Sequence, residues 1–411
     1  MIRKSVLKNR IAFLLITMGC IYSSGYCFSL VGGAPMRLLA IVITFLGIAL
    51  LPRVNSRPFL IRASVANFVC IITVIAVFLS YFVNATGNTL FDHMILVLRF
   101  VAAALIAERI SMETFSKCYV DTMIVFACVA IAVWVFQISG ISLPGYQFQG
   151  LNGVAYKTIL LCTWPIDSTD VMGPFWEEGL FATFLVVTVL IEGCFRKEKA
   201  RISTLIICSL AVYLTQSTAG YILLGLAFFI IIRKQGRKYS FVDVLILLMF
   251  IVMFVNYDNI ISWLIEINPD VFWKLKGDNY TYNTRLMSPV ACFQIFMKAP
   301  LFGNGLTKAT ELYNGYKFIF NMDALTSTSV FMLSAFGVLG IFYTVGWIVA
   351  IVKQKNLPML IRIAMVSLFL MILNKEPHYN NMLMSLVMFV LLNHTENKSD
   401  EDSITNEIGI C

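Results

Sequence analysis

The stretch that decides the fold reads Gly173-Pro174-Phe175-Trp176-Glu177-Glu178-Gly179-Leu180-Phe181-Ala182-Thr183-Phe184-Leu185-Val186-Val187-Thr188-Val189-Leu190-Ile191, and Arg196, Lys197, Lys199 and Arg201 follow it. Its apolar part, 179–195, is close to the roughly 20 residues that carry a helix across a bilayer. Two carboxylates stand at one end and a basic cluster at the other. Lys and Arg gather on the cytoplasmic side of membrane spans, so the stretch has a direction. Its acidic end faces out.

The same pattern recurs along the chain. Apolar runs occur at 11–31, 36–52, 64–83, 92–107, 119–139, 179–195, 202–217, 219–233, 240–256, 327–352, 358–374 and 378–394. Basic residues fall in alternate connections, whereas the short connections on the other side hold only Arg37 and Lys375. The expected fold is all-α: a polytopic transmembrane helix bundle of about 12 spans, with both termini cytoplasmic. The run at 11–31 lacks a small-residue cleavage site and reads as a first membrane helix. Residues 1–394 are expected to form one membrane domain, and the polar, acidic 395–411 a disordered tail. Two outer segments, about 140–178 and 256–326, are long and rich in aromatic residues. They are expected to carry short amphipathic helices on the membrane face.

Composition agrees. Of 411 residues 59% are hydrophobic and 13% charged, about half the charged share of a soluble protein. The net charge of +8 resides in the connections between apolar runs, which speaks for topology and against nucleic acid. The ten cysteines have no regular spacing and read as small buried hydrophobes. No Cys/His cluster, no Walker A run and no Asp-x-Asp outside the tail occurs. No cofactor and no metal site is expected.

Four polar patches lie at the outer ends of spans. In the first, Glu177 and Glu178 sit at a span mouth; a carboxylate there accepts a proton from a hydroxyl, holds an arginine, or caps the helix. Capping is the simpler reading for Glu178. In the second, Ser217 lies in a small-residue turn, Thr215 to Gly220, that suits close helix packing. The third holds Arg285, then Lys298 and the turn Pro300-Leu301-Phe302-Gly303-Asn304-Gly305. A guanidinium grips phosphate oxygens in a fork, or snorkels to lipid headgroups. Gly303 and Gly305 permit a tight turn with close backbone approach. The fourth contains Glu376 and His378, which read either as a pairing suited to proton transfer or as a polar turn at the membrane interface. Arg99, inside the span 92–107, is the remaining charge of interest. It serves a substrate, pairs with Asp92 one face-repeat earlier, or snorkels outward. Arg362, near a span end, reads as snorkelling.

Taken together these patches resemble the bacterial O-antigen (repeat-unit) polymerases of the Wzy type, within the O-antigen polymerase/ligase family. The run from Gly173 to Ala182 is similar to their Glu-Pro-Gly-x-Phe-Ala element, and the Ser217-Thr218 turn to their mid-chain small-residue turn. Arg285 to Gly305 resembles their Arg…Pro-Leu-Phe-Gly-x-Gly segment, and His378 falls where related ligases carry a functional histidine. Glu178 departs from the family's proline, and the Ser217 turn lacks the Arg-Gly often seen in ligases. The second departure favours polymerase over ligase. The resemblance implies an enzyme of the inner membrane that transfers a glycan from undecaprenyl diphosphate to the hydroxyl of another lipid-linked repeat unit. It implies Arg285 and Arg99 as diphosphate ligands and Glu177 or His378 as base. It leaves open a chain-length regulator and a flippase as partners. The rival classes are a ligase and a lipid-linked oligosaccharide flippase; the latter is opposed by the large outer segment and the lack of internal repeats.

Overall fold

The computed structural model describes residues 2–26, 29–52, 64–141, 143–150, 154–159, 162–166, 170–196, 199–234, 280–322 and 324–394, with Ser262 and Glu266. The expected span at 240–256 and the tail 395–411 lie outside the described residues.

Five helices come first: α1 (Ile2–Tyr22), α2 (Ser29–Leu50), α3 (Val65–Val83), α4 (Leu90–Arg109) and α5 (Met112–Ile138). Three strands follow, β1 (Tyr146–Gln149), β2 (Ala155–Ile159) and β3 (Cys162–Pro165). The second half holds α6 (Glu178–Cys194), α7 (Ile202–Leu214), α8 (Thr218–Lys234), α9 (Tyr280–Lys298) and α10 (Leu306–Ile319). It closes with α11 (Thr328–Phe336), α12 (Ile341–Val352), α13 (Met359–Leu373) and α14 (Met382–Asn393). Single 3-10 turns, Gly337–Gly340 and His378–Asn380, join α11 to α12 and precede α14.

Among the described residues, five helical stretches are long and apolar enough to cross a membrane: Gly33–Leu50, Val65–Val83, Leu90–Arg109, Met112–Ile138 and Thr328–Val352. They carry apolar residues toward the outside of the bundle. Leu38, Leu39, Val42 and Leu46 on α2 are exposed, as are Phe68, Ile75, Leu79 and Phe82 on α3. In contact with water such faces would be costly, whereas lipid accepts them. α6 is different. Every residue from Gly179 to Glu192 is buried, so its all-round apolarity marks a helix at the centre of the bundle. α14 is enclosed in the same way from Met382 to Leu392. Six of the eight described cysteines are buried and all eight are free thiols.

Several expectations are corrected. The described residues are mostly helical, as expected, but the 140–178 segment carries an antiparallel meander, β1-β2-β3, in place of the expected short helices. Strand-forming residues alternate there, and Phe148 stacks on Tyr156 across the β1–β2 pair at 5.6 Å. Such cross-strand aromatic pairs stabilise a small sheet. The first helix ends at Tyr22, nine residues before the expected 31, and the second begins at Ser29. The chain turns between them because Gly25 has φ 96° and its carbonyl accepts from Trp176 N at 3.0 Å. A side chain at Gly25 would meet Leu180 and Trp176. The run at 327–352 breaks at Gly337 (φ 66°), a conformation that favours glycine. The last helix begins at Met382, not 378, because Asn381 caps it by accepting from Met384 N at 3.3 Å.

Candidate active site

The polar loop Asn374–Asn381, between α13 and α14, is built into the bundle by hydrogen bonds at each end and in the middle. Ser327, just before α11, donates its hydroxyl to Asn374 Oδ1 (2.7 Å), and Thr328 donates to the Glu376 carbonyl (2.8 Å). The Thr328 hydroxyl also accepts from His378 N (2.7 Å). At the far end Asn381 donates to the Ser24 carbonyl (3.3 Å). Arg99 Nη1 reaches the Asn380 carbonyl at 2.8 Å and also its side-chain oxygen. Arg99 lies nine residues inside α4, roughly 14 Å from its start at helical rise. The loop therefore sits recessed below the level at which α4 begins.

Into this recess α6 points its N-terminus. Glu177 occupies the N-cap position, yet its side chain makes no capping bond. It lies with Glu376 beside Gly179, and each carboxyl acts on the protonation of the other. Two carboxylates packed together disfavour being charged at the same time. Between them lies Lys375, 4% exposed, donating to the Gly179 carbonyl at 2.7 Å and lying 3.4 Å from Thr183 Oγ1. Gly179 is where the groups converge. A Cβ there would stand 3.1 Å from Glu376 Oε1, 3.3 Å from Lys375 Nζ and 3.6 Å from Glu177 Oε1.

The electrostatics follow from this packing. Burial, then the charges of Glu376 and Glu178, hold the Glu177 carboxyl well above the usual carboxylate range; Lys375 opposes them. Glu376 is raised by burial, while Lys375 and Arg285 pull it back down. Lys375 itself is lowered by burial, supported in its charge by Glu376 and opposed by Arg285. Arg285, half-buried on α9, thus lies close enough to act on both. α9 is held beside the loop through Ser288, whose hydroxyl oxygen accepts from Thr326 N (3.1 Å) and Ser327 N (3.3 Å). His378 is 1% exposed, and neither ring nitrogen has a hydrogen-bond partner. Burial and the nearby Lys375 push its pKa down to about 3, so it is neutral at any physiological pH.

The fold therefore gathers Glu177, Glu178, Glu376, His378 and Arg285 around one loop, with Arg99 anchoring that loop from beneath. Asp92 is not the partner of Arg99: it pairs with Arg37 at 3.5 Å. The remaining candidates serve elsewhere. Ser217 caps α8, its hydroxyl accepting from Gly220 N at 3.3 Å. Exposed Lys298 lies over the Tyr316 ring at 5.1 Å. Gly303 (φ 68°) and Gly305 (φ 80°) make the expected tight turn. Its close approaches are to the backbone of Ala335 and Gly337 and to Asn88. Arg362 Nη1 donates to the Val352 carbonyl at 2.8 Å, closing the end of α12.

Sequence reading missed Lys375, Gly179 and Thr328. Lys375 was visible only as a charge in an outer connection; its burial depends on a glycine nearly two hundred residues away in sequence. The Asn-Lys-Glu-Pro-His order did carry a signal, since two opposite charges beside a span end seldom stay in lipid unpaired. Chemically, the arrangement offers a carboxylate of raised proton affinity beside two cations in a recess. No family model matches the chain, and no curated protein matches it in sequence.

Proposed function

We propose that this chain is a membrane glycosyltransferase that polymerises undecaprenyl-diphosphate-linked oligosaccharide repeat units into surface polysaccharide, O-antigen or capsule. In this reading it works on the outer face of a bacterial cytoplasmic membrane, with both termini inside and side-chain cations in place of a divalent metal. The observation that carries the proposal is the Glu177–Glu376 pair packed on Gly179 beside Lys375 and Arg285. Glycosyl transfer from a lipid diphosphate needs two things at once: a base for the incoming hydroxyl, and positive charge for the departing diphosphate.

In the reaction an acceptor hydroxyl oxygen attacks the anomeric carbon of the donor sugar. The bond from that carbon to the diphosphate oxygen breaks, and its electron pair leaves with the diphosphate. The hydroxyl proton passes to Glu177. Its proton affinity, raised by burial and by Glu376, makes it a stronger base than a solvent-exposed carboxylate once ionised. Arg285 answers the growing charge on the diphosphate. Arg99 supports the same face by holding Asn380.

The test is lipid-linked repeat units supplied to purified protein, with product length read on a gel. Glu177→Gln is expected to cut elongation by roughly a hundredfold or more, the usual contribution of a general base. Arg285→Ala should cost about a hundredfold, near 3 kcal/mol, with Arg285→Lys partly restoring it. Wild-type chain lengths from both Glu177→Gln and Arg285→Ala at equal protein level would refute the proposal. In cells the two substitutions should leave single units exported and attached. Repeat units trapped inside would indicate a flippase, and long chains retained on the carrier a ligase.

A further inference from the structure

An apolar groove runs along the flank of the bundle between α1 and α5. Phe13 and Thr17 form one wall, Cys118 and Thr122 the other, with Ile106 of α4 and Leu386 of α14 behind. No charged side chain lines it. Tyr119 turns its hydroxyl out of the groove to the Phe184 carbonyl, at 2.9 Å. The four wall residues are only half-buried, so the groove opens sideways, on a face where Leu14 and Val125 are exposed. α1 packs along α2 and only lightly on α14, which leaves the gap.

One end of the groove meets the recessed loop. Ile21 and Leu383 line that end. One turn above Ile21, the Ser24 hydroxyl accepts from Leu383 N at 2.8 Å, and the Ser24 carbonyl accepts from Asn381. Ser24 thus clasps the backbone that carries His378 and Asn380. From Ile21 the groove descends to the level of Phe13, roughly 12 Å of helix. An apolar channel open to the side thus begins beside the end of the loop that carries Lys375, Glu376 and His378.

We infer that this groove holds the first part of the hydrocarbon tail of the lipid whose diphosphate-linked glycan is handled at the Glu177–Glu376 site. The identity of the headgroup rests on the proposed function; the groove itself does not. An extended hydrocarbon chain matches the uncharged lining and the sideways opening, and its burial against carbon is favourable. The tail fixes the depth of the headgroup, so the anomeric carbon arrives at the level of Glu177 without a large sugar-binding surface.

The experiment uses the full chain in detergent micelles and two probes, undecaprenyl diphosphate and the tailless methyl diphosphate, with binding read by native mass spectrometry. Wild type should prefer the long chain. Thr122→Trp and Thr17→Trp, which fill the groove from opposite walls, should each weaken the long-chain probe about tenfold, equivalent to two buried methylenes. Both should leave methyl diphosphate bound as before, which also shows that the variants are folded. Long-chain affinity unchanged in both variants would overturn the inference alone and place the tail in bulk lipid. A phospholipid that stays bound while undecaprenyl diphosphate saturates the protein would do the same. No binding of either diphosphate to the wild type would overturn both the inference and the reading of the site.

Discussion

At the scale of single residues, Gly179 is the most informative position. It lies in the first turn of α6, where alanine is favoured over glycine by about 1 kcal/mol. Gly179→Ala is therefore expected to keep or raise thermal stability. Its new methyl, 3.1 Å from Glu376 Oε1 and 3.3 Å from Lys375 Nζ, must push the pair apart. Activity should fall at least tenfold with an unchanged melting curve; parallel loss of both would mean that Gly179 serves packing alone. Glu376 gives a second prediction, this time in pH. Glu177 works as a base only when ionised, and its raised pKa sets the acid limb of the rate profile above the ordinary carboxylate range. Glu376→Gln removes a neighbouring negative charge, so the limb should move to lower pH. Linkage gives a check of opposite sense. A carboxyl whose folded pKa is raised stabilises the fold below its unfolded pKa and loses that contribution as pH rises through the folded value. Glu177→Gln should then gain in melting temperature relative to wild type above that value, even while activity is lost. A lower melting temperature throughout would show that Glu177 is held by contacts other than those seen.

At this scale the sequence was legible where chemistry announces itself. Acids at span mouths, a histidine among so few, and an arginine inside an apolar run are all costly in lipid, so each asks for a reason. Lys375 was not legible, because its burial is a property of the contact with α6 and not of its own segment.

Among the elements, the spans were readable from hydropathy, yet their ends were not. Helix ends here are set by contacts distant in sequence. Asn88, between α3 and α4, shows how. Its side-chain oxygen accepts from Thr307 N (3.0 Å) and Lys308 N (3.3 Å), so it caps α10 from another part of the chain. Its amide donates to the carbonyls of Asn84 (2.8 Å) and Asn304 (3.0 Å). His93 adds to the clamp, its Nε2 accepting from Leu306 N at 3.1 Å. Asn88→Ala should cost about 1–2 kcal/mol, the range for a lost cap, and speed hydrogen exchange at the Thr307 and Lys308 amides. Unaltered exchange there would show that α10 is held by packing alone. The meander was missed for a related reason: its strands are four or five residues long, too short for a period-two signal to stand out against an aromatic-rich loop.

Across the whole molecule, the loop charges remain the guide to orientation. Glu311, on α10, follows Arg285 in the segment that the loop charges lead one to expect outside, while Lys355 lies in the turn between α12 and α13. Single cysteines at these two positions, in a cysteine-free background, are expected to react with a membrane-impermeant maleimide from opposite sides. Labelling of both from one side would invert the reading of α12 and with it the placement of the recess.

The brevity of α13 has one further consequence. Its 15 residues cover only about 22 Å, against a hydrocarbon thickness of about 30 Å. Its outward face is apolar, with Met359, Leu360, Ile363 and Met371 exposed. α14, shorter still, never meets lipid because its neighbours enclose it. Were α13 to cross a bilayer, the bilayer would thin along that one flank to match it. Thinning on one flank alone would store elastic strain in the lipid on one side of the molecule, and would lower the headgroup plane next to the Asn374–Asn381 loop that follows α13.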